Sequence, residues 1–227
     1  MKLTKVARAV LTDSLALVVT FALSLIVLNT QHLPLAIRLI QVLGLALLLS
    51  WPVATLRHDT HKHKVRDTHQ RQVVFEILAF GLVAASLAYL NYSWFFVRHG
   101  LSAAYLDTTS NLYMEATSVT LLTLLLCQTV HLVFVRNDHE KRLSHTFLRG
   151  NQELHRAWAV SAFILLNLLY NPLLQVVFKT AGLDFWDWLS ALLMASLYTG
   201  LKVIQRHSRE HTHHAVLKLH HELGKKL

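Results

Sequence analysis

The stretch VTLLTLLLCQTVHLVFV, residues 119–135, contains no Lys, Arg, Asp or Glu. A helix needs roughly 20 mostly apolar residues to cross a hydrocarbon core of about 30 Å, and this run reaches that length once it is extended back to Tyr113. A second run, LALVVTFALSLIVL at 15–28, is equally free of charge. Working outward from these two, apolar windows recur at 10–30, 33–56, 73–96, 113–135, 157–178 and 186–204. Buried helices of a soluble bundle would each keep one wet face, and the windows at 33–56 and 113–135 have none. The expected fold class is all-α: a polytopic integral membrane protein with six transmembrane helices.

The charges between the windows point the same way. Of the 22 Lys and Arg residues, 19 fall before the first window, in every second loop, or from Lys202 onward; only Arg38, Arg98 and Lys179 fall on the other side. Basic residues are retained on the cytoplasmic side of a membrane, so the expectation is a plasma (inner) membrane protein with both termini in the cytoplasm. The net charge of +9 then needs no nucleic-acid partner; the partner it implies is the lipid bilayer. Tyr92, Trp94, Phe95, Phe96, Trp186 and Trp188 sit where an interfacial aromatic belt belongs. The division expected along the chain is a membrane domain over residues 1–206 and a basic, His-rich cytoplasmic tail over residues 207–227. The tail, with Val216, Leu219 and Leu223 on one side, is expected to lie along the inner membrane surface.

Chemistry-bearing motifs are few. The first window is too long, and too poor in small residues at its end, for a removable signal peptide. The single Cys127 lies inside a window, which leaves no disulfide framework. No Gly-rich phosphate loop occurs, and no Asp is followed by Lys-Thr-Gly. The chain is therefore expected not to be an enzyme, and no cofactor is implied.

Polar side chains inside membrane spans are the default functional candidates: Asp13, Ser14, Gln41, Glu76, Gln128, His131, Asn167 and Asn171. Asp13 and Glu76 stand about a turn from the inner interface, within reach of water. Gln128 is nearer mid-span, where an amide either bridges two helices, worth about 0.6–2 kcal/mol, or acts as a ligand. Pro52 interrupts the second window; lacking an N–H, it frees a carbonyl one turn earlier, near Leu48. Ten of the 16 His residues fall in two inner clusters: His58, His61, His63 and His69 in the first inner loop, and six in the tail. His207, His211 and His214 share a helix face and form a candidate divalent-metal site; a solvated surface whose charge rises below about pH 6.5 is the alternative.

PLLQVVFKTAGLDFWDWL at 172–189 resembles the link between the last two membrane helices of P-type cation-transporting ATPases. There a Pro, a Leu-Gln, a Val-Phe, a Thr, a Leu and an Asp-Trp-Leu recur in this register. ATSVTLLTLLLCQTVHLVFVR at 116–136 is similar to that family's eighth membrane helix, and NQELHRAWAVSAFILLNLL at 151–169 continues into the ninth. LTDSLALVVTFALSLIVLNTQHLPL at 11–35 looks like the fifth helix and the outer turn after it, and Pro52 falls where the sixth helix carries its Pro. The resemblance runs from about residue 9 to 206. It implies the family's C-terminal membrane domain, whose six helices begin and end in the cytoplasm.

It also implies where cation ligands would fall. The fifth-helix Asn falls on Ser14 and the fifth-helix acid on Leu17. The Asn, Thr and Asp of the sixth helix fall on Leu45, Leu48 and Leu49, and the eighth-helix ligand falls on Gln128. A hard cation needs several oxygen ligands, and leucines supply none; Asp13 is the nearest carboxylate. The leading expectation is a non-catalytic, stand-alone scaffold or accessory subunit of a six-helix bundle. Two alternatives stand beside it. One is the membrane half of a split pump, carrying out ion transport with a separately encoded catalytic P-type ATPase chain or other membrane proteins. The other is a metal- or pH-responsive protein using the His clusters.

Overall fold

A computed structural model describes residues 15, 18, 37–38, 40–42, 44–45, 48, 70–100, 109–136 and 152–224. Among the described residues every regular element is helical. The continuous helices are α1 (Gln70–Arg98), α2 (Asn111–Arg136), α3 (Gln152–Tyr170), α4 (Pro172–Phe178) and α5 (Phe185–Gly224). Leu15, Val18, 40–42, 44–45 and 48 are also helical. Most of the windows at 10–30 and 33–56 lies outside the described residues, as do Pro52 and the first His-rich loop.

Two helices are long and apolar enough to cross a membrane, Leu78–Arg98 and Asn111–Phe134; a bent pair, His155–Tyr170 with Pro172–Phe178, makes a third if it counts as one span. The chain is thus an all-helical protein with membrane-spanning helices.

The packing has a polarity opposite to that of a soluble bundle. On α1 the buried positions are Phe80, Ala84, Ala88, Asn91, Tyr92 and Phe95, a stripe at helical spacing, while Phe75, Leu78, Leu82, Leu90, Trp94 and Val97 face outward. On α5 the buried stripe reads Asp187, Ala191, Ala195, Tyr198, Lys202, and the outward face carries Leu189, Leu192, Leu193, Leu197, Leu201 and Ile204. Bulky apolar residues outside and small or polar ones at the seam are what hydrocarbon solvent selects. The window at 186–204 therefore looks less apolar on average than its outward face is. Helix α2 lies against both α1 and α5 and is buried nearly all round, with Val119, Leu121, Leu122, Leu124 and Leu132 in the central cluster.

One expected span is broken. The window at 157–178 was read as one apolar span, and its two helices meet at an angle of 86°. Pro172 has no N–H to continue α3, and it pushes Asn171 into extended backbone, φ −85° and ψ 119°. Asn171 then caps α4 by accepting from the Leu173 amide at 3.0 Å. Lys179, at φ 54° and ψ 45°, ends α4 in the left-handed region.

The tail is helical as far as Gly224 and continues α5 without interruption, giving one helix of 40 residues.

Candidate functional site

The interior of the bundle holds polar groups in three places. At one end, Gln41 is buried with its amide fully used: Oε1 accepts from the Arg38 amide at 3.1 Å, and Nε2 donates to Thr117 Oγ1 at 2.9 Å and to the Lys179 carbonyl at 3.1 Å. The Arg38 guanidinium stacks over the Tyr113 ring, 4.6 Å from its centroid. The Ala181 amide donates to Ser118 Oγ at 3.0 Å, so the segment after α4 is seated on the start of α2. The same region holds Arg98, which bonds Asp187 and lies 3.6 Å from Asp184. Arg38, Arg98 and Lys179, the three cations that charge counting separated from the other 19, therefore flank one end of the bundle.

Asp184 and Asp187 also cap α5 reciprocally. The Asp187 amide donates to Asp184 Oδ1 at 2.8 Å, and the Asp184 amide donates to Asp187 Oδ2 at 3.1 Å. Carboxylates at a helix start satisfy unpaired N–H groups and complement the helix dipole. Partial burial works to raise the Asp184 carboxyl, but the hydrogen bonds from Asp187 and the Arg98 charge outweigh it, holding Asp184 below the usual carboxylate range.

Mid-bundle, Asn91 Nδ2 donates to Thr123 Oγ1 at 2.7 Å and ties α1 to α2. Gln128 does not do this. Both atoms of its amide lack a hydrogen-bond partner, at 2% exposure. The bridging amides are thus Gln41 and Asn91. One helical turn on, at i+3 on the same side, both ring nitrogens of His131 are equally unpartnered, again at 2% exposure. Lys202 of α5, 3% exposed, sets its Nζ 3.4 Å from the centroid of the Phe80 ring, a cation–π contact that partly replaces lost hydration. Leaving a polar group buried and unpaired costs about 1–3 kcal/mol, so Gln128 and His131 are not where packing alone would put them.

Leu45 and Leu48, on which the resemblance would put sixth-helix ligands, belong to the apolar cluster with Phe80, Val119 and Leu168. The Leu48 carbonyl accepts from Ser161 Oγ at 2.7 Å. Asp13, Ser14, Leu17 and Leu49 lie outside the described residues. The backbone of His211 and His214 belongs to α5 and His207 is exposed; Glu76 belongs to α1. Among the described residues no three His, Cys, Asp or Glu side chains come together as a metal site.

Sequence reasoning did not single out Asn91, the Arg98–Asp187 pair or Lys202 as interior groups. Asn91 was hidden in an aromatic run, and Lys202 was counted with the inner loops. The visible signal for Asp187 was its spacing of three from Asp184 at the head of an apolar window, the pattern of a capping box.

A helical bundle with an apolar outer surface, interhelical amides and a charged seam at one end defines a polytopic membrane domain. The model of the family described as "Cation transporting ATPase, C-terminus" matches residues 34–206, and the chain belongs to that family. The match begins after the first apolar window, so the likeness drawn for 11–33 lies outside it. No curated protein matches the chain.

Proposed function

We propose that this chain is a non-catalytic membrane domain, with six spans and both ends in the cytoplasm of a cell whose plasma (inner) membrane holds it, acting as a scaffold or accessory subunit. The observation that carries the reading is the apolar surrounding of Leu45 and Leu48. Leu45 and Leu48, at positions where the family places oxygen ligands, are buried in an apolar cluster. The Leu48 carbonyl, the one backbone oxygen there that Pro52 would release, is already bonded to Ser161. A hydrated cation entering that region would lose its water shell to methyl groups. The test is ATP hydrolysis by the purified chain with calcium or manganese. No turnover above background is expected, and metal-stimulated turnover would overturn the reading.

A second reading has its own support. The unpartnered amide of buried Gln128, at the eighth-helix ligand position, favours a membrane half that moves a cation when joined to a separately encoded catalytic chain. Co-purification with a chain bearing the phosphorylated aspartate, and loss of ion flux in Gln128→Ala, is the result this reading requires. Intact flux in both Gln128→Ala and Asp13→Ala removes its basis.

A further inference from the structure

The turn of α2 that carries His131 also carries the chain's single cysteine. Cys127 is a free thiol with no exposed surface, and it precedes His131 by four residues. On a regular helix that spacing turns the two side chains only about 40° apart and sets them one turn, about 6 Å, apart along the axis. Both ring nitrogens of His131 are without a hydrogen-bond partner at 2% exposure. A thiol and an unpartnered imidazole therefore share one side of a buried helix. A bound group that engaged a ring nitrogen would relieve the cost of leaving that ring unpaired.

The surroundings select the kind of group. Cys127, Leu124 and Leu132 belong to the same apolar cluster as Phe80 and Tyr198. A hard cation there would lose its hydration shell without gaining an oxygen cage. A soft ion instead bonds directly to sulfur and imidazole nitrogen, and a monovalent soft ion is satisfied by two such ligands. Lys202 stands close enough to act electrostatically on the His131 ring, and its charge opposes a divalent ion. A monovalent ion held by a thiolate has no net charge, so the complex escapes both that repulsion and the cost of burying a charge.

We propose that Cys127 and His131 bind one soft monovalent metal ion of the copper(I) class inside α2. On binding, the thiol S–H bond breaks and the sulfur–metal bond forms. The proton leaves to water, and a ring nitrogen of neutral His131 gives its lone pair to the ion. No electron is transferred. The site is distinct from the hard amide oxygen of Gln128, on which the split-pump reading turns, and it holds whether the membrane part is a scaffold or half of a pump.

The test uses the full chain in nanodiscs without oxygen. Copper(I) is delivered from a competing chelator, with silver(I) as the redox-inert stand-in, and each point is held to equilibrium because both ligands are buried. The 16 His residues can hold copper weakly elsewhere, so the readout is thiolate-to-copper charge-transfer absorption, which imidazole does not give. Wild type is expected to saturate this band at one equivalent and to release one proton per ion. Cys127→Ser is expected to abolish the band, and His131→Gln to weaken binding by about tenfold or more. His155 Nε2 is also buried without a hydrogen-bond partner, but its neighbour is the Trp158 ring; His155→Gln is expected to leave affinity within about twofold. X-ray absorption by copper bound to wild type is expected to show one sulfur and one nitrogen, a result that does not depend on any variant folding. Absence of the band in wild type overturns the proposal. So does an unchanged affinity in His131→Gln, or a copper site with sulfur and no nitrogen, either of which would mark a thiol acting alone.

Discussion

Ser161 donates through Oγ to the backbone carbonyl of Leu48, at 2.7 Å, across 113 positions of sequence. Pro52 lies four residues after Leu48 and cannot donate the N–H that would normally meet that carbonyl. In hydrocarbon no water is at hand to take its place, so a hydroxyl from α3 fills the role and fastens the two helices together.

Ser161→Ala should therefore destabilise the chain by about 1–3 kcal/mol, because it leaves the carbonyl buried and unpaired. Ser161→Thr should restore most of the loss. Thermal unfolding in detergent checks both, with about 2–4 °C expected per kcal/mol for a chain of this size. An unchanged midpoint in the Ala variant would show that the bond contributes nothing.

Gln128→Leu should raise stability, by about 1–3 kcal/mol, since it replaces a buried amide that has no partner with a side chain of similar volume. Asn91→Leu should do the opposite, because Asn91 ties α1 to α2 through Thr123. If Gln128→Leu proved as harmful as Asn91→Leu, Gln128 would have to bridge helices after all.

Arg98→Gln should cost about 2–3 kcal/mol. That is below the roughly 3–5 kcal/mol for removing one member of a fully buried pair, because the Arg98 side chain keeps 23% of its surface while Asp187 keeps 1%. Asp187→Asn should also be destabilising, and the double variant should lose less than the two single losses combined. Strict additivity in that cycle would show that the two side chains do not act on each other.

Acid should weaken the part of this latch that Asp184 supplies. The Asp184 carboxyl is held below its usual range in the folded chain. Its contribution to stability is therefore present above the unfolded value near pH 4 and is lost as pH falls through the folded value. The difference in unfolding midpoint between wild type and Asp184→Asn should stay constant from about pH 7 to pH 5 and shrink below about pH 4. A gap that persisted unchanged into strong acid would sever Asp184 from the latch.

Gly81→Val should be disruptive, by about 1–3 kcal/mol. A Cβ at Gly81 would stand 2.8 Å from Leu15 Cδ2 and within 3.2 Å of Leu15 Cβ, so Leu15 packs directly on α1 there. Replacing Leu15 by Ala in the same chain should recover part of the loss. No recovery would mean that the strain lies elsewhere.

Much of this was legible in the residues. The uncharged run at 119–135 belongs to the more buried of the two described helices long enough to span. Arg38, Arg98 and Lys179 were separated by simple counting and sit together at one end. The free carbonyl expected near Leu48 has a donor. What sequence reading missed shares one cause. Averaging apolarity over a window does not register where backbone N–H groups are missing, so the turn at Asn171–Pro172 was read through. It does not register helix continuity either. Composition changes sharply after Ile204, but a helix propagates on backbone hydrogen bonds and on residues such as Ala, Leu, Lys and Glu that tolerate it. The polar stripe of α5 was invisible for a related reason: Asp187 and Lys202 lower the average of a segment whose outward face is almost wholly Leu, Ile and Val.

The right-angle turn between α3 and α4 bears on how the protein sits in its lipid. Spans alone leave a membrane domain free to tilt or slide along the normal until thickness and length agree. A short helix set crosswise to its neighbour, with Leu173, Val176 and Val177 exposed along it and its far end tied to the bundle through the Lys179 carbonyl, resists that motion like the flange on a bolt.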